Sequence, residues 1–262
     1  MHQSAAIGLV AAICFLMLNS EKRFLVRNIL TGVITIIMIV FLMKTVKISY
    51  EAITGADPDA SSVPVSCTIY MGLTSSSSGG PGSQDGSYTE IFNQNNQDGK
   101  AANEEALSRI GAVVGEYFTG ERSLKFFLEK TKYQWLDPTF GARKIIRTND
   151  PSMSEPPNSD TYIRFYNSSF RSIVFKLSIA SMLLIYIGAL ISGIKTICAQ
   201  KEYPAAMLIQ LYVIGGFAFQ LLWESLSRYC YNYFIWLIPL AAFGLYLLHL
   251  RLNQVMAKEY EF

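Results

Sequence analysis

The segment Pro204–Leu250, PAAMLIQLYVIGGFAFQLLWESLSRYCYNYFIWLIPLAAFGLYLLHL, decides the fold. It contains two apolar runs without Asp, Glu, Lys or Arg, Pro204–Trp223 and Tyr229–Leu250, of 20 and 22 residues, separated by the polar turn Glu224–Arg228. About 20 apolar residues in a helix cross the roughly 30 Å hydrocarbon core of a bilayer, so the segment reads as a membrane hairpin. Upstream, Ser172–Ile194 is a third run of 23 residues in which Lys176 is the only charge. Ser4–Asn19 and Asn28–Met43, 16 residues each, are slightly short, and their flanks are expected to extend them. A secretory signal peptide fits the first run poorly, because Met1-His2-Gln3 carries no lysine or arginine and the basic residues follow the run. The expectation is a mainly α, polytopic membrane protein with about five transmembrane helices.

The charge map sets the domain boundaries. Only 16% of the 262 residues are charged, against roughly 25% in a soluble domain. Residues 51–170 hold 15 of the 20 acids and 10 of the 22 bases. The rest is too apolar for an ordinary soluble domain, and no basic cluster supports nucleic-acid binding. The chain therefore divides into transmembrane helices 1–2 over 1–50, an extracytoplasmic α-rich domain over 51–170, and transmembrane helices 3–5 with a cytoplasmic tail over 171–262. Orientation follows from the basic residues of the short connections. Lys22, Arg23 and Arg27, then Lys195 and Lys201, then Arg251 and Lys258 all fall on one side of a five-span chain. That side is expected to be cytoplasmic, with the N-terminus, residues 51–170 and the Glu224–Arg228 turn outside the plasma membrane. Lys44 and Lys47 oppose this, but a long translocated domain weighs less than short loops.

Within the polar region, Thr74–Tyr88 (TSSSSGGPGSQDGSY) has the Ser/Gly composition of flexible coil. Ala101–Phe118 reads as a helix whose Ala106, Ile110, Val113, Val114 and Tyr117 recur at helical spacing, with Glu104 and Glu105 in its first turn. A second helix is expected from Glu121 to about Trp135, with Leu124, Phe127, Leu128 and Trp135 inward and Pro138 beyond its end. Asn149–Asp160 (NDPSMSEPPNSD) is expected to be irregular. Asn167-Ser168-Ser169 matches a glycosylation sequon close to the membrane, a pattern frequent by chance. So small a core is expected to lean on the membrane spans or a partner.

Cys14, Cys67, Cys198 and Cys230 form no framework and are expected to be isolated thiols; only Cys67 and Cys230 share a compartment where a disulfide persists, and whether they pair stays open. His2 and His249 stand at opposite ends, and no metal-ligand spacing occurs. No cofactor is indicated.

Polar groups concentrate in Trp223-Glu224-Ser225-Leu226-Ser227-Arg228-Tyr229. An acid and a cation where two apolar helices leave the bilayer invite a functional role, although Trp, Tyr and Arg also suit an interfacial belt. Asp137, the only acid of Gln134–Phe140 (QWLDPTF), reads as part of a helix stop over packed Trp135 and Phe140 more readily than as a general base. Gly215-Gly216 suits close helix packing, and Pro239 a kink.

Two stretches resemble a known family. Leu124–Lys130 (LKFFLEK) with Gln134–Phe140, and Gly215–Tyr229 (GGFAFQLLWESLSRY), are similar to the C-terminal part of bacterial GT-C-fold membrane glycosyltransferases akin to protein mannosyltransferases. The likeness covers roughly residues 100–250. It implies transfer of a sugar from a polyprenyl-phosphate donor on the outer face: a carboxylate of the first outer loop orients the acceptor hydroxyl, the hydroxyl attacks the anomeric carbon with inversion, and polyprenyl phosphate leaves. Arg228 would pair with the leaving phosphate, Tyr229 or Trp223 would border lipid or sugar, and Glu224 would orient Arg228. Gln220 stands where the family more often has histidine. The family's catalytic acid has no counterpart here, since the first acid is Glu21 on the expected cytoplasmic side. The chain thus looks like the C-terminal portion of such an enzyme, from a truncated or split gene or a late start, and is expected to be inactive alone. Its implied partners are membrane lipid, a polyprenyl-phosphate-linked sugar and a chain carrying the missing N-terminal spans. A non-catalytic membrane protein displaying residues 51–170 as an interaction or regulatory domain is the alternative.

Overall fold

The computed structural model describes residues 3–18, 22–74, 80–141, 169–199 and 202–259. Residues 75–79 of the Ser/Gly loop, the proline-rich tract 149–160, and Asn167 and Ser168 of the sequon lie outside them. Every described element is a helix: α1 (Gln3–Leu18), α2 (Lys22–Thr54), α3 (Pro58–Ser61), α4 (Val65–Leu73), α5 (Ser87–Gln94), α6 (Gly99–Thr119), α7 (Lys125–Trp135), α8 (Ser169–Cys198), α9 (Pro204–Leu222) and α10 (Ser227–Glu259).

Four helices are long and apolar enough to cross a membrane: Val26–Thr54, Phe170–Cys198, Pro204–Leu222 and Ser227–Ala257. They mark the chain as a membrane protein in contact with lipid. The apolar run at the start forms only the 16-residue α1, about 24 Å at 1.5 Å per residue, shorter than the hydrocarbon core. The second run continues well past Met43 because nothing breaks the helix before Gly55, whose φ of +70° ends it and whose N–H still bonds to Glu51 O at 2.8 Å. Hydropathy locates the lipid; it does not locate the helix end.

By its contacts the chain forms two units. One comprises the residues up to Gln134 together with Ile214–Leu226. In it α1 packs on α2, where Gly32 faces the Ile13 side chain. Lys47 of α2 pairs with Asp57 at 3.2 Å, with Glu51 at 3.5 Å and with Asp59, and Lys100 reaches Asp57 at 2.9 Å. Between these two ammonium groups the Asp57 carboxyl lies far below the ordinary range, the hydrogen bond from Lys100 weighing most. Asp57 also caps α3 by accepting from Asp59 N, with Pro58 in the first turn. Asp98 caps α6 through Lys100 N and Ala101 N. The small residues Cys67, Ala102 and Ala106 meet Ile91 in the core of α4, α5 and α6, with Tyr70, Tyr88 and Phe92 around them. None of Cys14, Cys67, Cys198 and Cys230 is in a disulfide, and burial pushes the Cys67 thiol pKa up.

The other unit comprises Trp135–Val213 and the residues from Ser227 onward. Here α8 and α10 pack through bare backbone: a Cβ on Gly188 would meet Ala241 Cα at 2.8 Å, and one on Gly244 would meet Ser192 N at 2.8 Å. Gln210 of α9 bonds to Thr196 Oγ1 at 3.1 Å and Ser192 Oγ at 3.4 Å, so polar atoms inside an apolar setting are paired. Pro239 lies within α10 without ending it.

Gly244→Val is expected to cost about 3 kcal/mol or more, since the intruding atoms meet backbone. Gly193→Ala on α8, whose new Cβ would meet nothing within 4 Å, is expected to stay within about 1 kcal/mol of wild type. Thermal unfolding in detergent micelles measures both.

Candidate functional site

Two of the residues that carry the family resemblance lie on α7, one turn apart. Lys130 and Gln134 are completely buried, whereas Leu124 and Leu128, expected to face inward, are 66% and 65% exposed. The inward face of α7 thus carries polar groups. The reason lies in α9, which ends inside the protein and leaves carbonyls without helical partners. Lys130 Nζ donates to Leu221 O at 2.9 Å, Trp223 O at 2.6 Å and Gly72 O at 2.5 Å. Gln134 Nε2 donates to Gln220 O at 3.2 Å, Gln220 Oε1 at 3.3 Å and Glu224 O at 3.5 Å. One ammonium therefore caps the C-terminal ends of both α9 and α4, where the helix dipoles favour a cation. The three acceptors match the three N–H groups of a lysine head.

Glycines make room for this arrangement. A Cβ on Gly72 would meet Trp223 O at 2.7 Å. Gly82 has φ +69°, and a Cβ there would lie 2.5 Å from Gly72 O and 3.1 Å from Lys130 Nζ. Gly82 N bonds to Thr74 O at 3.0 Å, and Gly82 O receives Ser225 N at 2.8 Å. The end of α4 is held further by Tyr117, whose hydroxyl donates to Leu73 O at 3.1 Å and is pushed to a higher pKa by burial. The Ser225 hydroxyl is fully buried and meets no hydrogen-bond partner among the described residues.

Asp137, three residues past Gln134, organises the start of α10. Its Oδ1 accepts from Thr139 N at 2.9 Å and Thr139 Oγ1 at 2.6 Å, and its Oδ2 from Gly141 N at 2.8 Å and Ser227 Oγ at 2.9 Å. Burial opposes ionisation, but the bonds from Thr139, Gly141 and Ser227 outweigh it and hold the carboxyl below its usual pKa. A general base near neutrality needs the opposite shift, so Asp137 is a fastener. Trp135 and Phe140 pack beneath it as expected: the Trp135 ring lies 6.4 Å from Tyr233, and Phe140 lies 5.2 Å from Tyr231 and 5.0 Å from Phe234.

The four candidate ligand residues fall on both sides of Ser225–Ser227. Trp223 stacks on Phe219 at 5.0 Å and gives its carbonyl to Lys130. Glu224 is buried, with its carbonyl facing Gln134. Arg228, in the first turn of α10, is exposed, and its guanidinium stands 5.3 Å from the Tyr229 ring. Among the described residues no carboxylate pairs with Arg228. Lys130 and Gln134 were not singled out from the sequence; the available signal was a pair of polar residues at i and i+4 beside Phe126 and Phe127. No group of His, Cys, Asp or Glu able to hold a metal occurs among the described residues. No protein-family model, curated protein or solved structure matches the chain.

Lys130→Met, which keeps the volume and deletes the donors, is expected to destabilise the chain by roughly 3–5 kcal/mol, read as a loss of thermal stability in detergent. Asp137→Asn is expected to cost about 2 kcal/mol at neutral pH. Because the folded pKa is depressed, this contribution is complete above the unfolded value of about 3.9 and is lost as pH falls through the folded one. The gap between wild-type and variant melting temperatures is therefore expected to stay constant from pH 5 to 8 and to close in stronger acid.

Proposed function

We propose that the chain is the donor-phosphate-binding portion of an integral membrane glycosyltransferase, one that takes a sugar from a polyprenyl-phosphate carrier on the outer face of the plasma membrane. In this reading residues 51–170 and the Glu224–Arg228 turn are extracytoplasmic, and the basic short connections are cytoplasmic. The observation that carries it is the coupling of the two stretches behind the resemblance. Lys130 and Gln134 of the first bond to residues 220–224 of the second, and Asp137 bonds to Ser227. Residues that serve one turn of the chain give a reason for two distant motifs to occur together.

The turn so fixed ends in Arg228, an exposed guanidinium at the first turn of an apolar helix. That position suits the phosphate of a lipid carrier, whose chain lies in the bilayer while its head meets water. A guanidinium binds phosphate oxygens through two parallel N–H bonds. The Tyr229 ring lies 5.3 Å from it. The acceptor-activating carboxylate belongs to a loop that resembles nothing in residues 1–262, so sugar transfer is assigned to an assembly that includes that loop, and binding of the carrier to this chain.

The chain reconstituted in lipid nanodiscs is expected to bind a polyprenyl phosphate, with Arg228→Ala weakening binding at least about tenfold, near 1.4 kcal/mol. Arg228→Lys is expected to restore only part, because an ammonium lacks the planar fork. Titration followed by native mass spectrometry reads both effects, and absence of binding by the wild-type chain would overturn the assignment.

A further inference from the structure

We propose that α7 and the end of α6 form a membrane-surface seat, with Phe118, Leu124 and Leu128 inserted into the headgroup–acyl boundary of the bilayer. This is independent of sugar transfer. It begins with the level of α7. Lys130 and Gln134 tie one side of the helix to the last turn of α9, and α9 is among the four helices able to cross a membrane. The end of a spanning helix lies at the bilayer boundary, so α7 lies there too.

The opposite side of α7 is apolar and bare. At about 100° per residue, Leu128 stands roughly 160° from Lys130, with Leu124 one turn before it on the same stripe. Both are about two-thirds exposed, and Phe118 in the last turn of α6 is 90% exposed. Toward the C-terminal end the stripe reaches Trp135, which is 7% exposed. Its ring faces Tyr233 of α10, and its carbonyl accepts from Tyr186 of α8 at 2.5 Å. Trp135 thus packs on α8 and α10, whereas Leu124 and Leu128 stand exposed.

Charge favours lipid as the occupant. Lys125 and Lys132 lie about 60° and 40° from Leu128 along one border of the stripe, and both are exposed. Glu129 pairs with Lys132 at 2.8 Å, and Lys125 adds a second ammonium beside the leucines. An amphipathic helix with leucines flanked by lysines is the composition that lies in the interface plane, its apolar side about 5–10 Å deep and its ammonium groups at the lipid phosphates.

The test uses the full chain with Cys14→Ser and Cys198→Ser, which leaves only the buried Cys67 and Cys230. Leu124→Cys, Leu128→Cys and, as a control on α6, Leu107→Cys would each carry a nitroxide in vesicles of phosphatidylethanolamine and phosphatidylglycerol. At 124 and 128, collisions with oxygen are expected to exceed those with a water-soluble nickel chelate, giving depths of about 5–10 Å, and at 107 the order is expected to reverse. A water-like result at 124 and 128 would overturn the seat. Exclusion of both reagents would mean that protein covers the stripe, which overturns it equally. Since exposed leucines are replaced, folding is checked by an unchanged melting temperature.

Discussion

A membrane helix that ends among protein atoms leaves its last carbonyls with nothing to accept from, and the cost of burying them unpaired is about 1–3 kcal/mol each. The meeting of Lys130 with Gly72 O, Leu221 O and Trp223 O resolves that constraint for two helices at once. A buried ammonium is costly by itself, but two helix C-termini supply partial negative charge where it sits. Much else in that unit follows from the choice. Gly72 and Gly82 are without side chains because the ammonium and its carbonyls occupy the space. Tyr117 secures Leu73 O, the next carbonyl of α4. Gln134, one turn further along α7, takes the next layer of α9 carbonyls.

The same stretch of chain then changes task. Past Trp135 it turns, and Asp137 gathers Thr139, Gly141 and Ser227 around one carboxylate. Lys130 and Gln134 donate to carbonyls at the end of α9, whereas Asp137 accepts from the Ser227 hydroxyl at the start of α10. Residues 220–224 are thus held by side chains of Lys130 and Gln134, and Ser227 by Asp137. This is a stronger constraint than the turn's own sequence provides, because Ser225 and Ser227 impose little backbone preference.

The membrane helices were legible because apolar runs without charge have one physical solution in a bilayer. Their ends were less so: α2 continues to Thr54 through Lys44, Lys47 and Glu51, since charge alone does not stop a helix. α6 was legible from Ala106, Val113 and Tyr117, whereas α3, α4 and α5 were not, being short and set among Ser, Gly and Asp, whose local preferences favour turns. α7 shows why periodicity misassigned a face. Leu124 and Leu128 are apolar and were placed inward, but which side of a helix is buried depends on what its neighbours need. Beside α9 the need was for donors. The roles of Lys130 and Gln134 therefore rest on carbonyls 58 to 93 residues away in sequence, which no local pattern encodes.

The contrast between Lys130 and Arg228 also bears on which cation could serve a ligand. Lys130 has three N–H groups and meets three carbonyls, so an incoming anion would have to displace helix ends that the lysine itself holds. Arg228 carries five N–H donors in a fixed plane, is exposed, and stands 5.3 Å from the centre of the Tyr229 ring. Those donors hold no helix end, unlike the ammonium of Lys130. The buried cation is thus committed to holding helix ends, and the exposed one is not.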